Sequence, residues 1–172
     1  AIAAAVALAR ANLLFASGEA AAAAEQIELA QAGPPQIAAE AMAVWARRLM
    51  KANDDASARK LWLALDAKYP EEVPADDAGY LAAWIAMQAG DYATGAADFV
   101  TFEQRHPGSK KRDEARWFRG YCLVRLEKWA EARAALQSLQ VDFPRSSLVP
   151  QAKYWAARSL QQLSADAGAG PE

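Results

Sequence analysis

The sequence predicts an all-α fold, a solenoid of about four helix-turn-helix repeats followed by one C-terminal helix. Two observations lead to this prediction. The chain has 172 residues, of which 45 are alanine, the strongest helix former, whereas only 13 are Val, Ile or Thr, which strands favour. In addition, a pattern of small, large and proline residues recurs at intervals of 35, 37 and 37 residues.

The recurring pattern consists of a small residue, a large apolar residue four positions later and a proline eight positions after that. The small residues are Ala23, Ala58, Gly95 and Ala132. The large residues are Ile27, Trp62, Phe99 and Leu136. The prolines are Pro35, Pro70, Pro107 and Pro144. Earlier in three of the units, one position again holds only small residues, namely Ala46, Ala83 and Gly120.

These residue types predict pairs of closely packed helices. A small side chain lets a second helix approach, and the large residue fills the groove between them. Proline ends each pair because it cannot continue a helix, and a single pair cannot bury its own apolar face, so we expect the pairs to stack. The predicted units are 4–35, 39–70, 76–107 and 113–144, with a half unit at 147–164 and a flexible tail or linker at 165–172.

The predicted helices lie near the following residue numbers: 2–16, 19–32, 36–52, 54–69, 75–89, 91–106, 110–126, 128–143 and 147–164. The small-x₃-large frame and the terminal proline resemble the tetratricopeptide repeat (TPR) family, most closely at 76–107 and 113–144. This resemblance implies a right-handed α-solenoid whose first helices line a concave groove for another protein or a peptide.

A narrower resemblance concerns the strings RHPGS, DFPRSS and PQAKYWAARSL. They are similar to repeats of bacterial cell-envelope proteins, which implies a non-catalytic scaffold in an envelope complex, in the periplasm and close to peptidoglycan. They are also similar to the superhelical region of soluble lytic transglycosylases. That alternative makes the chain a segment of a peptidoglycan lytic transglycosylase whose catalytic domain lies elsewhere.

Aromatic and arginine side chains recur on the first helices and are the predicted partner-binding residues. We call one set row A; it comprises Tyr80, Trp117 and Tyr154. The other set, row B, comprises Arg47, Trp84, Tyr121 and Arg158. Each residue of row A precedes one of row B by four positions, so the two share a helix face. These residue types are enriched at interface hot spots, but a helical stack also needs bulk between its repeats, so binding groove and inter-repeat core are both open readings.

Charge is distributed unevenly, since residues 1–100 carry a net charge of −6 and residues 101–172 a net charge of +4. A basic patch for an acidic partner is predicted in the second of these segments. It consists of Lys110, Lys111, Arg112, Arg116 and Arg119. A solvated outer face is the alternative reading. Acidic residues interrupt this segment and the whole chain has a net charge of −2, so nucleic acid is not an expected partner.

The sequence predicts no catalytic residues, no metal site and no cofactor. His106, the single histidine, takes the position held by Tyr69 and Phe143 in neighbouring units, so we expect it to pack at a helix end. Cys122 lies in an apolar segment and is expected to be a buried thiol. No apolar run approaches the roughly 18 residues that would span a membrane, so no transmembrane segment is expected.

Overall fold

The computed structural model describes residues 1–168, with side chains through residue 165, and this part of the chain is all-helical without strands, as predicted. Its helices are α1 (Ile2–Ser17), α2 (Ala20–Gln31), α3 (Pro35–Lys51), α4 (Asp55–Lys68), α5 (Pro74–Gln88), α6 (Tyr92–Arg105), α7 (Arg112–Arg125), α8 (Trp129–Asp142) and α9 (Val149–Gly168). Helix α9 continues into the segment predicted as a tail, and residues 169–172 of that tail lie outside the described residues.

The chain divides into two compact units, residues 1–82 and the residues from 83 onward, with the division inside α5. In the first unit, α1 packs on α2, α2 on α3 and α3 on α4, and α1 also reaches α3. In the second unit, α6 packs on α7, α7 on α8 and α8 on α9. Contacts between helices that are neighbours along the chain are typical of stacked helical hairpins.

One turn geometry recurs where the first helix of each predicted pair ends. A residue with positive φ stands there in all four cases: Gly18 (87°), Asn53 (60°), Gly90 (83°) and Glu127 (57°). The next residue donates its backbone N–H to the carbonyl oxygen five positions earlier, at 2.9–3.0 Å, in the pairs Glu19–Leu14, Asp54–Leu49, Asp91–Ala86 and Lys128–Leu123. This is the Schellman type of helix termination. These turns follow one another at intervals of 35, 37 and 37 residues, the same intervals that separate the recurring prolines.

The large residues of the frame form the interior of the hairpins. Each is at most 2% exposed: Ile27, Trp62, Phe99 and Leu136. The two glycines among the small residues each lie close to a neighbouring helix. A Cβ placed on Gly120 would lie 2.6 Å from Cδ2 of Leu136, and one on Gly95 would lie 3.2 Å from the backbone nitrogen of Met87. The close approach of α7 to α8 therefore depends on the absence of a side chain at residue 120.

The first prediction concerns the recurring turn, and the variant is Glu127→Gly. A side chain in the left-handed region costs about 1–2 kcal/mol, and the greater freedom of glycine in the unfolded chain returns about 0.5–1 kcal/mol of that cost. We expect the free energy of unfolding to rise by roughly 1 kcal/mol in urea titrations followed by circular dichroism. The control, Gln137→Gly on the exposed face of α8, should lower it by about 1 kcal/mol. A loss of stability in Glu127→Gly would contradict the turn geometry.

The second prediction is that Gly120→Leu destabilises the second unit. The new side chain would overlap Leu136, which is fully buried, and overpacking of this kind costs about 1–3 kcal/mol. The same measurement on Ala134→Leu, at an exposed position of α8, should change the free energy of unfolding by no more than about 0.5 kcal/mol. A more stable Gly120→Leu protein would show that α8 does not approach α7 closely at this residue.

Candidate functional site

The two rows of predicted binding residues have different surroundings. Row B is accessible at every position, because Arg47 and Arg158 are exposed and Trp84 and Tyr121 are half-buried. In row A, Tyr80 is only 9% exposed, so its burial favours the inter-repeat core reading over the groove reading for this residue. Each residue of row B is thus at least partly accessible, which is not true of every residue of row A.

The other two members of row A lie in the second unit. Trp117 is half-buried and packs against a cluster that α8 and α9 form from Leu136, Leu139, Ala152 and Ala156, so the core reading fits it better than the groove reading. Tyr154 on α9 is 59% exposed, and its ring meets that of Trp155 edge-on at 5.5 Å. Tyr154 is thus the one residue of row A that presents most of its ring to solvent.

Tyr121 of row B belongs to a small surface cluster that the sequence did not predict. Its ring and that of Tyr92, at the start of α6, meet edge-on with centroids 6.2 Å apart. Arg125, one turn after Tyr121, lies 4.7 Å from the Tyr92 ring centroid and donates a hydrogen bond from Nη1 to Tyr121 Oη at 3.0 Å. That hydrogen bond raises the pKa of the exposed Arg125 guanidinium. We call Tyr92, Tyr121 and Arg125 the tyrosine–arginine patch.

In the first unit, the row B residue Arg47 lines a basic cleft of about 320 Å³. The lining residues are Asn12, Val44, Arg47, Arg48 and Lys51. Asn12 holds the row B position one repeat before Arg47, 35 residues earlier. This relation was visible in the sequence, but only the structure shows that Arg48 and Lys51 join them in one cleft.

The cations of the basic cleft are only weakly neutralised. Arg47 Nη2 lies 3.3 Å from Asp77 Oδ2, and Nη1 lies 3.8 Å from Glu40 Oε1, with all three side chains at least 39% exposed. Exposed ion pairs of this kind contribute about 0–1 kcal/mol and exchange readily with other partners. Arg48 stacks 4.8 Å from the centroid of the Phe15 ring, which fixes its guanidinium at the wall of the cleft. The cleft therefore offers three cationic groups to an acidic ligand.

Arg116 was predicted in a basic surface patch, and the structure corrects this. It is 8% exposed. Its Nε donates to both carboxylate oxygens of Glu103, at 2.9 and 2.8 Å, and Nη1 donates to Asp142 Oδ2 at 2.6 Å and to Ser138 Oγ at 3.0 Å. The hydrogen bonds that Arg116 donates to Glu103 raise the pKa of its guanidinium, so it stays charged inside the protein. Arg116 ties α6, α7 and α8 together and is not available to a partner.

The remaining cations of the predicted patch are at least partly exposed and have different surroundings. Arg112 donates to the Pro107 carbonyl oxygen at 2.9 Å and stacks 5.4 Å from the Phe143 ring centroid. Lys111 precedes α7 as its N-cap residue, and Arg119 is half-buried. Lys110 is exposed and lines a cleft of about 480 Å³ together with Arg145 and the carboxylates of Asp113 and Asp142. Of the five predicted cations, the structure thus buries Arg116 alone and leaves the other four at least partly exposed.

The residues considered for chemistry lie in packed surroundings. Cys122 is fully buried, and burial raises the pKa of its thiol to about 12, so the thiolate is scarce at neutral pH. His106 is half-buried with its ring 5.4 Å from that of Phe102. Among the described side chains, which end at residue 165, no group of three or more His, Cys, Asp or Glu residues is arranged to hold a metal ion. None of the helices described here is both long and apolar enough to cross a membrane.

Comparison of the sequence with protein-family models and with curated proteins finds no match in either set.

The third prediction is that Arg116 stabilises the fold, whereas the exposed cations near it in the sequence do not. In Arg116→Met, Glu103, whose side chain is 10% exposed, loses its partner, and breaking a buried ion pair in this way costs about 3–5 kcal/mol. The double variant Arg116→Met/Glu103→Leu should recover most of that loss because no buried charge remains. Lys110→Met is the matched surface control and should be nearly neutral. Urea unfolding checks all three variants, and an Arg116→Met protein as stable as the parent would contradict the buried role.

Proposed function

We propose that this chain is a non-catalytic scaffold of TPR type that binds another protein or a peptide along the first helices of its repeats. The observation that carries the proposal is the accessibility of row B. The same position on α3, α5, α7 and α9 holds Arg47, Trp84, Tyr121 and Arg158, and each of these side chains is at least partly exposed. Trp, Tyr and Arg are the residue types most enriched at interface hot spots.

A right-handed α-solenoid is part of this proposal. Its support is the recurrence of one hairpin geometry: a positive-φ turn at residues 18, 53, 90 and 127, followed each time by a buried small residue and a buried large one. Repeating one helical hairpin with one mode of contact to the next produces a one-dimensional stack. In such a stack, row B would follow one face of the first helices from repeat to repeat.

The chemistry along row B favours a partner that combines acidic and aromatic or aliphatic groups. The basic cleft of the first unit supplies Arg47, Arg48 and Lys51, which suit carboxylates. The tyrosine–arginine patch of the second unit supplies flat rings for apolar contacts. Both lie on regular helices held by buried contacts, so binding would require little ordering of the scaffold. A place in a bacterial cell-envelope complex completes the proposal and is supported by the resemblance of the repeat strings.

The fourth prediction tests row B directly. Peptides selected from a random display library on the immobilised full chain serve as probes, and their affinities are then measured in solution by isothermal titration calorimetry. Trp84→Ala and Tyr121→Ala should each weaken binding at least tenfold, as expected for hot-spot residues. Val141→Ala removes a side chain that is 77% exposed on α8 and should leave the affinity unchanged.

The same variants decide whether these two residues belong to the groove or to the interior. The helical circular dichroism signal should be retained, with only a modest fall in melting temperature. If each substitution instead costs about 3–5 kcal/mol of unfolding free energy, both rings are core residues and the groove assignment is wrong. Stable variants that bind the selected peptides as tightly as the parent chain would equally overturn it.

A further inference from the structure

Two further clefts, of about 280 and 290 Å³, border the C-terminal half of α3 in the first unit. Trp45 and Leu49 of α3 line both clefts, so the two clefts lie side by side. The first is also lined by side chains of α1, α2 and α3, among them Phe15, Ala20, Arg48 and Lys51. The second is also lined by side chains of α4, namely Ser57, Lys60, Leu61 and Ala64. We call the two clefts together the Trp45 groove.

The apolar part of the groove is centred on the indole ring of Trp45. This ring stacks on that of Phe15, with centroids 5.7 Å apart and an interplanar angle of 28°. Trp45, Leu49 and Leu61 are all half-buried, so each keeps apolar surface that a ligand can contact. Among the described residues, the indole N–H of Trp45 donates no hydrogen bond, which leaves it for solvent or for a ligand.

A large ring at residue 45 is not something that the repeat itself requires. The same position in the following repeats holds Ala82, Arg119 and Ala156. Two of these three residues are small and buried, so helical hairpins of this series pack without an aromatic side chain there. Trp45 is thus a feature of this one place in the chain, where its accessible ring has a use beyond the packing of the hairpin.

The charged side chains that line the groove are all cationic. Arg48 and Lys51 line the first cleft and Lys60 lines the second, and no Asp or Glu is among the described residues that line either cleft. None of these three cations forms an ion pair with another described side chain. Unpaired cations beside apolar surface are complementary to carboxylates that flank an apolar side chain.

We propose that the Trp45 groove binds an acidic peptide segment of a partner protein, with one large apolar side chain of that segment inserted beside Trp45. The carboxylates of the segment pair with Arg48, Lys51 and Lys60, and this charge complementarity is the argument for such an occupant. The inference rests on the proposed binding of a protein or peptide, and it adds the chemistry of the partner and a second place of attachment. Arg48 and Lys51 also line the basic cleft, so the groove is continuous with the surface around Arg47.

The fifth prediction is tested on the full chain carrying Trp84→Ala/Tyr121→Ala, so that row B does not dominate the selection of ligands. A random peptide display library selected on this chain should yield sequences that combine several Asp or Glu residues with a Trp, Phe or Leu. In isothermal titration calorimetry, Ala64→Trp should weaken the binding of these peptides at least about tenfold, because the new ring occupies the space of the inserted side chain. Lys60→Glu should weaken it about fivefold or more, and added salt should weaken binding to the chain without this change.

The matched controls lie in the second unit. Ala134→Trp makes the same change at an exposed position of α8, and Lys153→Glu reverses an exposed charge on α9. Both should leave the affinity for the selected peptides unchanged. Circular dichroism should show full helicity in Ala64→Trp and Lys60→Glu, since both positions are exposed. With 5-fluorotryptophan in the chain, the fluorine resonance that Trp45→Phe removes should shift when a selected peptide is added.

Several outcomes would overturn the proposal. They are a library that yields no binders, selected sequences that are basic or uncharged, and peptides whose affinity neither Ala64→Trp nor Lys60→Glu reduces. Binding to phosphatidylglycerol vesicles that Lys60→Glu abolishes, in place of peptide binding, would assign the groove to a membrane surface and would overturn it as well. A failure of row B is read separately, from the effect of Trp84→Ala and Tyr121→Ala on peptides selected with the parent chain.

Discussion

The close approach of successive helices at a small side chain is the contact on which the rest of the structure depends. Gly120 shows it most clearly, because a single additional carbon there would meet Leu136. This approach lets α8 bury its large residue and brings Ser138 and Asp142 within reach of Arg116. The short turn before α8 sets the angle at which the helix returns, and its positive-φ residue is tolerated because the tertiary contacts outweigh the local cost. The row B side chains take no part in these contacts, so they remain accessible to solvent.

The helix order was predictable from the sequence because every unit repeats the same local information. A composition rich in alanine favours helix, and proline ends each helix pair. The positions of the small and large residues indicate which helix faces are in contact. Gly120 holds a small position of the recurring pattern and Leu136 holds a large one. The pattern therefore predicts that these two residues meet. The predicted helix boundaries differ from the observed ones by at most two residues except at the end of α9, where the sequence favoured a tail and the helix continues to Gly168.

The candidate site was less predictable, because it depends on which side chains the neighbouring helices cover. Arg116 lies at helical spacing from Arg112 and Arg119 and reads as part of a charged stripe. Its burial comes from Glu103 and Asp142, which are 13 and 26 residues away along the chain. Likewise, Tyr80 and Trp84 are one helical turn apart and chemically alike, yet the packing buries the first more deeply than the second. Periodicity in the sequence identifies the helix face on which a side chain lies. How deeply that side chain is buried depends on the packing between helices.

The burial of Cys122 has a practical consequence for spectroscopy. Maleimides and related reagents attack the thiolate, and a deeply enclosed sulfur with a pKa of about 12 offers almost none in the folded protein. The native chain is thus already close to a cysteine-free background. One cysteine introduced at an exposed position of α8 or α9 would be the sole reactive thiol among the residues with described side chains. A fluorophore attached there would report changes in its surroundings without any alteration of the interior.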